Sequence, residues 1–99
     1  MTEHQKDIKQ FKEFLDELLE IRTKKSLDYG HSWKLFGIQG LWYQIGGKFI
    51  RLWNLKDKEP KNESLKDTLN DLAIYCLMAK QLLENKDLDD KITKVISNL

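Results

Sequence analysis

Residues 62–85 read NESLKDTLNDLAIYCLMAKQLLEN, and their spacing decides the fold class. Leu65, Leu69, Leu72, Cys76, Ala79 and Leu83 recur every three or four positions, the period of an α-helix rather than the alternation of a strand. Asn62 or Ser64 stands near the N-cap, and acids fill the first turn, where the helix dipole favours negative charge. A second row, Glu63, Asp67 and Asp71, has i, i+4, i+8 spacing and continues as Ile74 and Met78. From Leu72 onward the helix is apolar nearly all round, which places it centrally or at an oligomer interface. The acid row therefore points into a packed surface. There Asp67 and Asp71 repel each other unless a cation or basic side chains intervene.

The same period governs the flanking segments. Residues 41–56 carry the stripe Leu41, Ile45, Leu52 and Leu55; residues 5–25 carry Ile8, Phe11, Leu15 and Leu18, with Phe14 and Leu19 beside them. A short last helix holds Leu88, Ile92, Val95, Ile96 and Leu99, with Asp87 as its cap. The breaks fall at KDKEPKNES (56–64), which contains the lone proline, and at Ser26–Gly40, which contains three glycines. No segment alternates as a strand does. The expectation is an all-α fold, a small helical bundle of three long helices plus a short C-terminal helix, forming a single domain over residues 1–99.

Seventeen Lys and Arg against sixteen Asp and Glu leave a net charge of +1, which argues against bulk attraction to nucleic acid. A chain this short buries only about two-thirds of its unfolded surface. Its three Trp, three Tyr and four Phe are expected to help fill the core, and self-association as a homodimer or higher homo-oligomer would add to it. The single cysteine excludes an intramolecular disulfide, and Cys76, among apolar neighbours, reads as a small core filler. The polar N-terminus lacks a secretory apolar region, and no run approaches a membrane span, so the expected compartment is the cytoplasm.

Charges that break the apolar pattern mark the candidate site. Lys48 lies within the stripe of the second helix, flanked by Gln44 and Arg51. Such a lysine needs a partner: either a carboxylate of a neighbouring helix, or an anion with Lys48 as point charge and Arg51 as a fork for phosphate oxygens. Gly46 and Gly47 just before it cost the helix roughly 1–2 kcal/mol against alanine, a cost that close approach of a backbone or ligand offsets. Mg²⁺ suits Asp67 and Asp71, because it takes one or two carboxylates, waters and a substrate's phosphates. Glu17 and Glu20, at i, i+3 on the first helix, could both reach one divalent cation. Arg22 lies on that helix's apolar stripe. Between the first two helices, Lys25, Asp28, Tyr29 and Trp33 offer a cation, a carboxylate and two aromatic faces able to stack a planar base. The same aromatics could equally cap the bundle.

Three motifs in order carry a resemblance: Lys25-x-x-Asp28-Tyr29-Gly30-x-Ser32-Trp33, Gln44-Ile45-x-x-Lys48-x-x-Arg51-Leu52, and Asp67-x-x-x-Asp71-Leu72-Ala73-x-Tyr75. Over residues 10–82 the chain resembles the nucleotide modification associated domain 1 family, small all-helical proteins of bacteria and phages, near the MazG-like all-α nucleotide pyrophosphohydrolases. The resemblance implies a (deoxy)nucleotide substrate, cleaved from triphosphate to monophosphate and pyrophosphate with Mg²⁺. Asp67 and Asp71 would be catalytic metal ligands, joined by Glu17 or Glu20. Lys25, Lys48 and Arg51 would hold phosphates, and Tyr29 or Trp33 would stack on the base. The MazG-like pattern has a Glu-x-x-Glu on the preceding helix, where this chain has Gln44, Lys48 and Arg51; its Glu17-x-x-Glu20 comes one helix earlier. A non-catalytic nucleotide-binding or regulatory module is the alternative. A protein-interaction bundle using Trp42 and Trp53, with Lys48 paired internally to Asp67 or Asp71, is another.

Overall fold

The computed structural model of the chain describes residues 1–29, 34–58, 63–85 and 94–99, and of residues 26–29 the backbone only. The described residues are all-α, with no strand among them. Three long helices follow one another: α1 (Glu3–Tyr29), α2 (Gly37–Leu55) and α3 (Glu63–Glu84), with a final helical turn at 94–97. None of the described helices is long and apolar enough to cross a membrane. Two compact units are distinguished, Met1–Gly30 and His31–Leu99.

The first unit is α1. It starts earlier than the apolar period suggests because Thr2 and Gln5 form a reciprocal cap: the Thr2 amide donates to Gln5 Oε1 at 2.9 Å, and the Gln5 amide donates to Thr2 Oγ1 at 3.1 Å. The helix also continues past Lys25 to Tyr29. The irregular stretch expected from Ser26 is thus shorter, and Lys25, Asp28 and Tyr29 are helical rather than loop residues. Lysines, serine and aspartate across that boundary are compatible with helix, and nothing in 26–29 breaks one. Of the α1 stripe, Ile8, Phe11 and Leu15 are exposed and Leu18 is half-buried.

The second unit is a hairpin in which α2 packs against α3. Gly37 opens α2 at φ 60, a left-handed conformation that costs an L side chain about 1–2 kcal/mol. Gly37→Ala is therefore expected to lower the unfolding free energy by about 1 kcal/mol or more, read from urea denaturation followed by circular dichroism. The α2 stripe behaves as its spacing predicts: Leu41 is buried, and Ile45, Leu52 and Leu55 are half-buried. On α3 the buried residues are Thr68, Ile74, Met78, Ala79 and Leu82, so the covered face is the one that carries Asp71.

Three expectations are corrected here. Among the described residues no aromatic side chain is buried, and the buried hydrophobic residues are Leu41, Ile74, Met78, Ala79 and Leu82. Phe36, just before α2, and Trp42, Tyr43, Phe49 and Trp53 on it are all exposed; α2 is apolar on two faces, and α3 packs against the other one. Leu69, Leu83 and Cys76 are exposed for the same reason on α3, so Cys76 is a surface thiol rather than a core filler. Asp67 also lies exposed, on the first turns of α3, rather than in a packed surface. Of the last helix, Val95 and Ile96 fall in the turn 94–97; Asp87, Leu88 and Ile92 lie outside the described residues.

Candidate functional site on the α2–α3 hairpin

Helix α2 holds only two charged residues, Lys48 and Arg51, spaced i, i+3 so that both reach the α3 side. Lys48 Nζ lies 3.0 Å from Asp71 Oδ2, with 28% and 20% of the two side chains exposed. One turn on, Arg51 Nε donates to Thr68 Oγ1 at 3.3 Å, and that hydroxyl donates to the Ser64 carbonyl at 2.6 Å. Thr68 is 2% exposed, so its oxygen is a fixed acceptor within the packed face. Asp71 and Thr68 sit three positions apart on α3, and Lys48 and Arg51 sit three apart on α2. The two helices thus meet in two adjacent polar rungs.

The rungs differ in what they leave available. Lys48 and Asp71 neutralise each other in a half-buried setting where water screens them only in part. Arg51 uses one nitrogen on Thr68, and its two Nη groups carry no hydrogen bond among the described residues. The guanidinium borders an open groove of about 370 Å³ lined also by Gly47, Ile50, Asn54, Leu55 and Ser64. A Cβ built on Gly47 meets nothing within 4 Å, so the glycine keeps that wall of the groove low. The groove offers a planar cation fork, a side-chain amide and a hydroxyl residue, a donor-rich set suited to an oxyanion.

The remaining candidates divide clearly. Glu20 forms an exposed i, i+4 pair with Lys24 at 3.2 Å, a solvated arrangement worth little to stability. Glu17 is exposed and Lys25 half-buried on α1. Asp28 and Tyr29 lie in the last turn of α1 and their side chains are not among those described; Trp33 lies outside the described residues. No group of three or more His, Cys, Asp or Glu able to hold a metal gathers among the described residues. On α3 the donors are Asp67, exposed, and Asp71, already held by Lys48. Two carboxylates fit a magnesium ion whose other positions are filled by phosphates and water, and do not fit an all-protein cage.

Thr68 was not singled out by spacing, although a signal was there: a hydroxyl among leucines, three positions before Asp71 and four after Ser64. The pair itself yields a stability prediction. Lys48→Ala removes one half of a half-buried ion pair, and should lower the unfolding free energy by an amount between the ~1 kcal/mol of an exposed pair and the ~3 kcal/mol of a buried one. Joint Lys48→Met and Asp71→Leu should regain part of it, because both charges of the half-buried pair are then replaced by apolar groups. Chemical denaturation of the three proteins checks both outcomes.

No curated protein and no solved structure matches the chain. A family model does: nucleotide modification associated domain 1, over residues 25–83. The matched segment starts at Lys25 and ends within the last turn of α3, so it contains both polar rungs and the groove and leaves out Glu17 and Glu20. It spans more than half of the sequence, and the chain belongs to the nucleotide modification associated domain 1 family.

Proposed function

We propose that the chain handles a (deoxy)nucleotide, taking its phosphates at Arg51 and Lys48, and that it acts as a MazG-like nucleoside triphosphate pyrophosphohydrolase in a homodimer or higher homo-oligomer. The observation that carries this reading is the Arg51 side chain: bonded to Thr68 through Nε, it also lines the open groove. A fork held on one side and open on the other is preorganised for bidentate phosphate contact. The family's nucleotide association supports the same ligand.

On this reading Arg51 binds first, and Lys48 turns from Asp71 toward the incoming phosphates. That exchange would draw Lys48 away from Asp71 as phosphate charge arrives. Asp67, exposed one turn earlier, stands ready beside it. Mg²⁺ would be held by Asp67 and Asp71, and when bound it would supply charge neutralisation and an activated water.

The Lys48–Asp71 contact also favours a second reading, in which the pair is structural and the chain binds nucleotide without turnover, or binds only protein. Titration calorimetry and a pyrophosphate assay over a (d)NTP panel with Mg²⁺ separate the readings. Binding with pyrophosphate release supports the hydrolase. Binding without release supports a regulatory module. No heat and no thermal shift with any nucleotide sinks both in favour of the protein-binding bundle.

A further inference from the structure

The outer face of α2 is unusual for a helix of a small protein. Trp42, Gly46, Phe49 and Trp53 are spaced 4, 3, 4, and so fall on one stripe of the helix. Tyr43 and Ile50 flank them on one side and Ile38 on the other. Exposures are 48% for Trp42, 84% for Tyr43, 53% for Phe49, 63% for Ile50 and 61% for Trp53. No charged residue interrupts this face, because both cations of α2 lie on the α3 side. Lys56 borders it, with Nζ 4.9 Å from the Trp53 ring centroid. Contiguous apolar area of this kind, rimmed by polar groups, marks an interaction surface.

Gly46 adds a second, independent observation. Glycine inside a helix costs about 1 kcal/mol against alanine, and a Cβ built on Gly46 meets nothing within 4 Å. Among the described residues nothing packed against it calls for the absence of a side chain. Gly47 opens onto the groove, but Gly46 opens onto the aromatic stripe. A gap among three rings is the shape that receives a ring from outside.

We infer that this face pairs with the same face of a second copy of the chain, α2 against α2 in antiparallel orientation about a two-fold axis. The stripe is self-complementary about its own midpoint. With the axis crossing between positions 47 and 48, Phe49 of one chain lies opposite Gly46 of the other, and Trp42 lies opposite Trp53, both twice by symmetry. Knob meets hole and large ring meets large ring, with no charge brought against its like. At ~200 Å² per aromatic side chain, the exposed rings and Ile50 offer on the order of 600 Å² per chain. A pair then buries about 1,200 Å², the lower edge of specific interfaces, before Leu35 and Phe36 at the helix start contribute. The chain's net charge of +1 leaves little long-range repulsion between copies. This inference gives a surface and a symmetry to the self-association proposed above, and does not depend on nucleotide binding.

Sedimentation velocity over a concentration series tests it on the full chain. The wild type should sediment as a dimer that dissociates on dilution. Phe49→Glu and Gly46→Gln should each weaken dimerisation by on the order of 30-fold, while Leu83→Glu, an equally exposed apolar site on α3, leaves it unchanged. Gly46→Gln guards against misfolding as the cause: glutamine is a better helix former, so helical signal is kept or raised while the dimer is lost. A chain monomeric at every concentration overturns the inference, whether another element or a different protein covers the face. A dimer that survives both α2 variants overturns it equally. Failure here with nucleotide binding intact leaves the nucleotide reading standing, and the reverse outcome leaves the dimer standing.

Discussion

Protein in which Asp67 and Asp71 are both replaced by asparagine should release pyrophosphate from a (d)NTP on the order of 10³-fold more slowly than wild type, if the chain is the hydrolase proposed. The magnitude follows from removing carboxylates that would anchor a cation worth several kcal/mol of transition-state stabilisation, at tenfold in rate per 1.36 kcal/mol. The two positions are informative separately. Asp71 is bonded to Lys48, so Asp71→Asn changes both the site and the helix contact. Asp67 is exposed, so Asp67→Asn should lose activity at unchanged stability. A double variant as active as wild type removes both residues from the chemistry. Loss of activity in Asp71→Asn alone, tracking its loss of helical signal, assigns Asp71 to the fold only.

Arg51→Ala is expected to weaken nucleotide binding by about 10- to 100-fold, the loss of charge-assisted contacts to phosphate worth roughly 1.5–3 kcal/mol. Arg51→Lys should recover little of this. A lysine keeps the charge but lacks the fork, and it cannot both bond Thr68 and present two parallel donors to the groove. Calorimetric titration of the three proteins with one nucleotide gives the comparison. Equal affinity in Arg51→Ala and wild type would detach the groove from nucleotide binding and turn attention to Lys48 alone.

Much of this arrangement is visible in spacing. The placement of Lys48 on the packed stripe of α2 follows from its distance to Ile45, Leu52 and Leu55, and the structure finds it half-buried there. That such a lysine needs a counter-charge follows from the cost of burying it alone. Which acid answers it does not follow, because Asp67 and Asp71 share one row and differ only in how far along α3 the two helices meet. The Arg51–Thr68 bond is set by that same offset, so a hydroxyl that looked ordinary in the sequence became the anchor of the guanidinium. The end of α1 went the other way: propensity allowed helix through Tyr29, and the expected break moved toward the glycines that follow.

By itself the sequence determined the helices and their apolar faces, since a repeat of three to four residues is a local property of the chain and needs no neighbour to express it. It determined also that cations and acids fall where apolar side chains are expected. Only the tertiary structure decided which face of α2 and of α3 is covered. Both helices are apolar on more than one side, and periodicity ranks such faces equally; the choice rests on contacts between residues far apart in the chain. In that choice the aliphatic face with Lys48 and Asp71 went inside, and the face of Trp42, Phe49 and Trp53 stayed out.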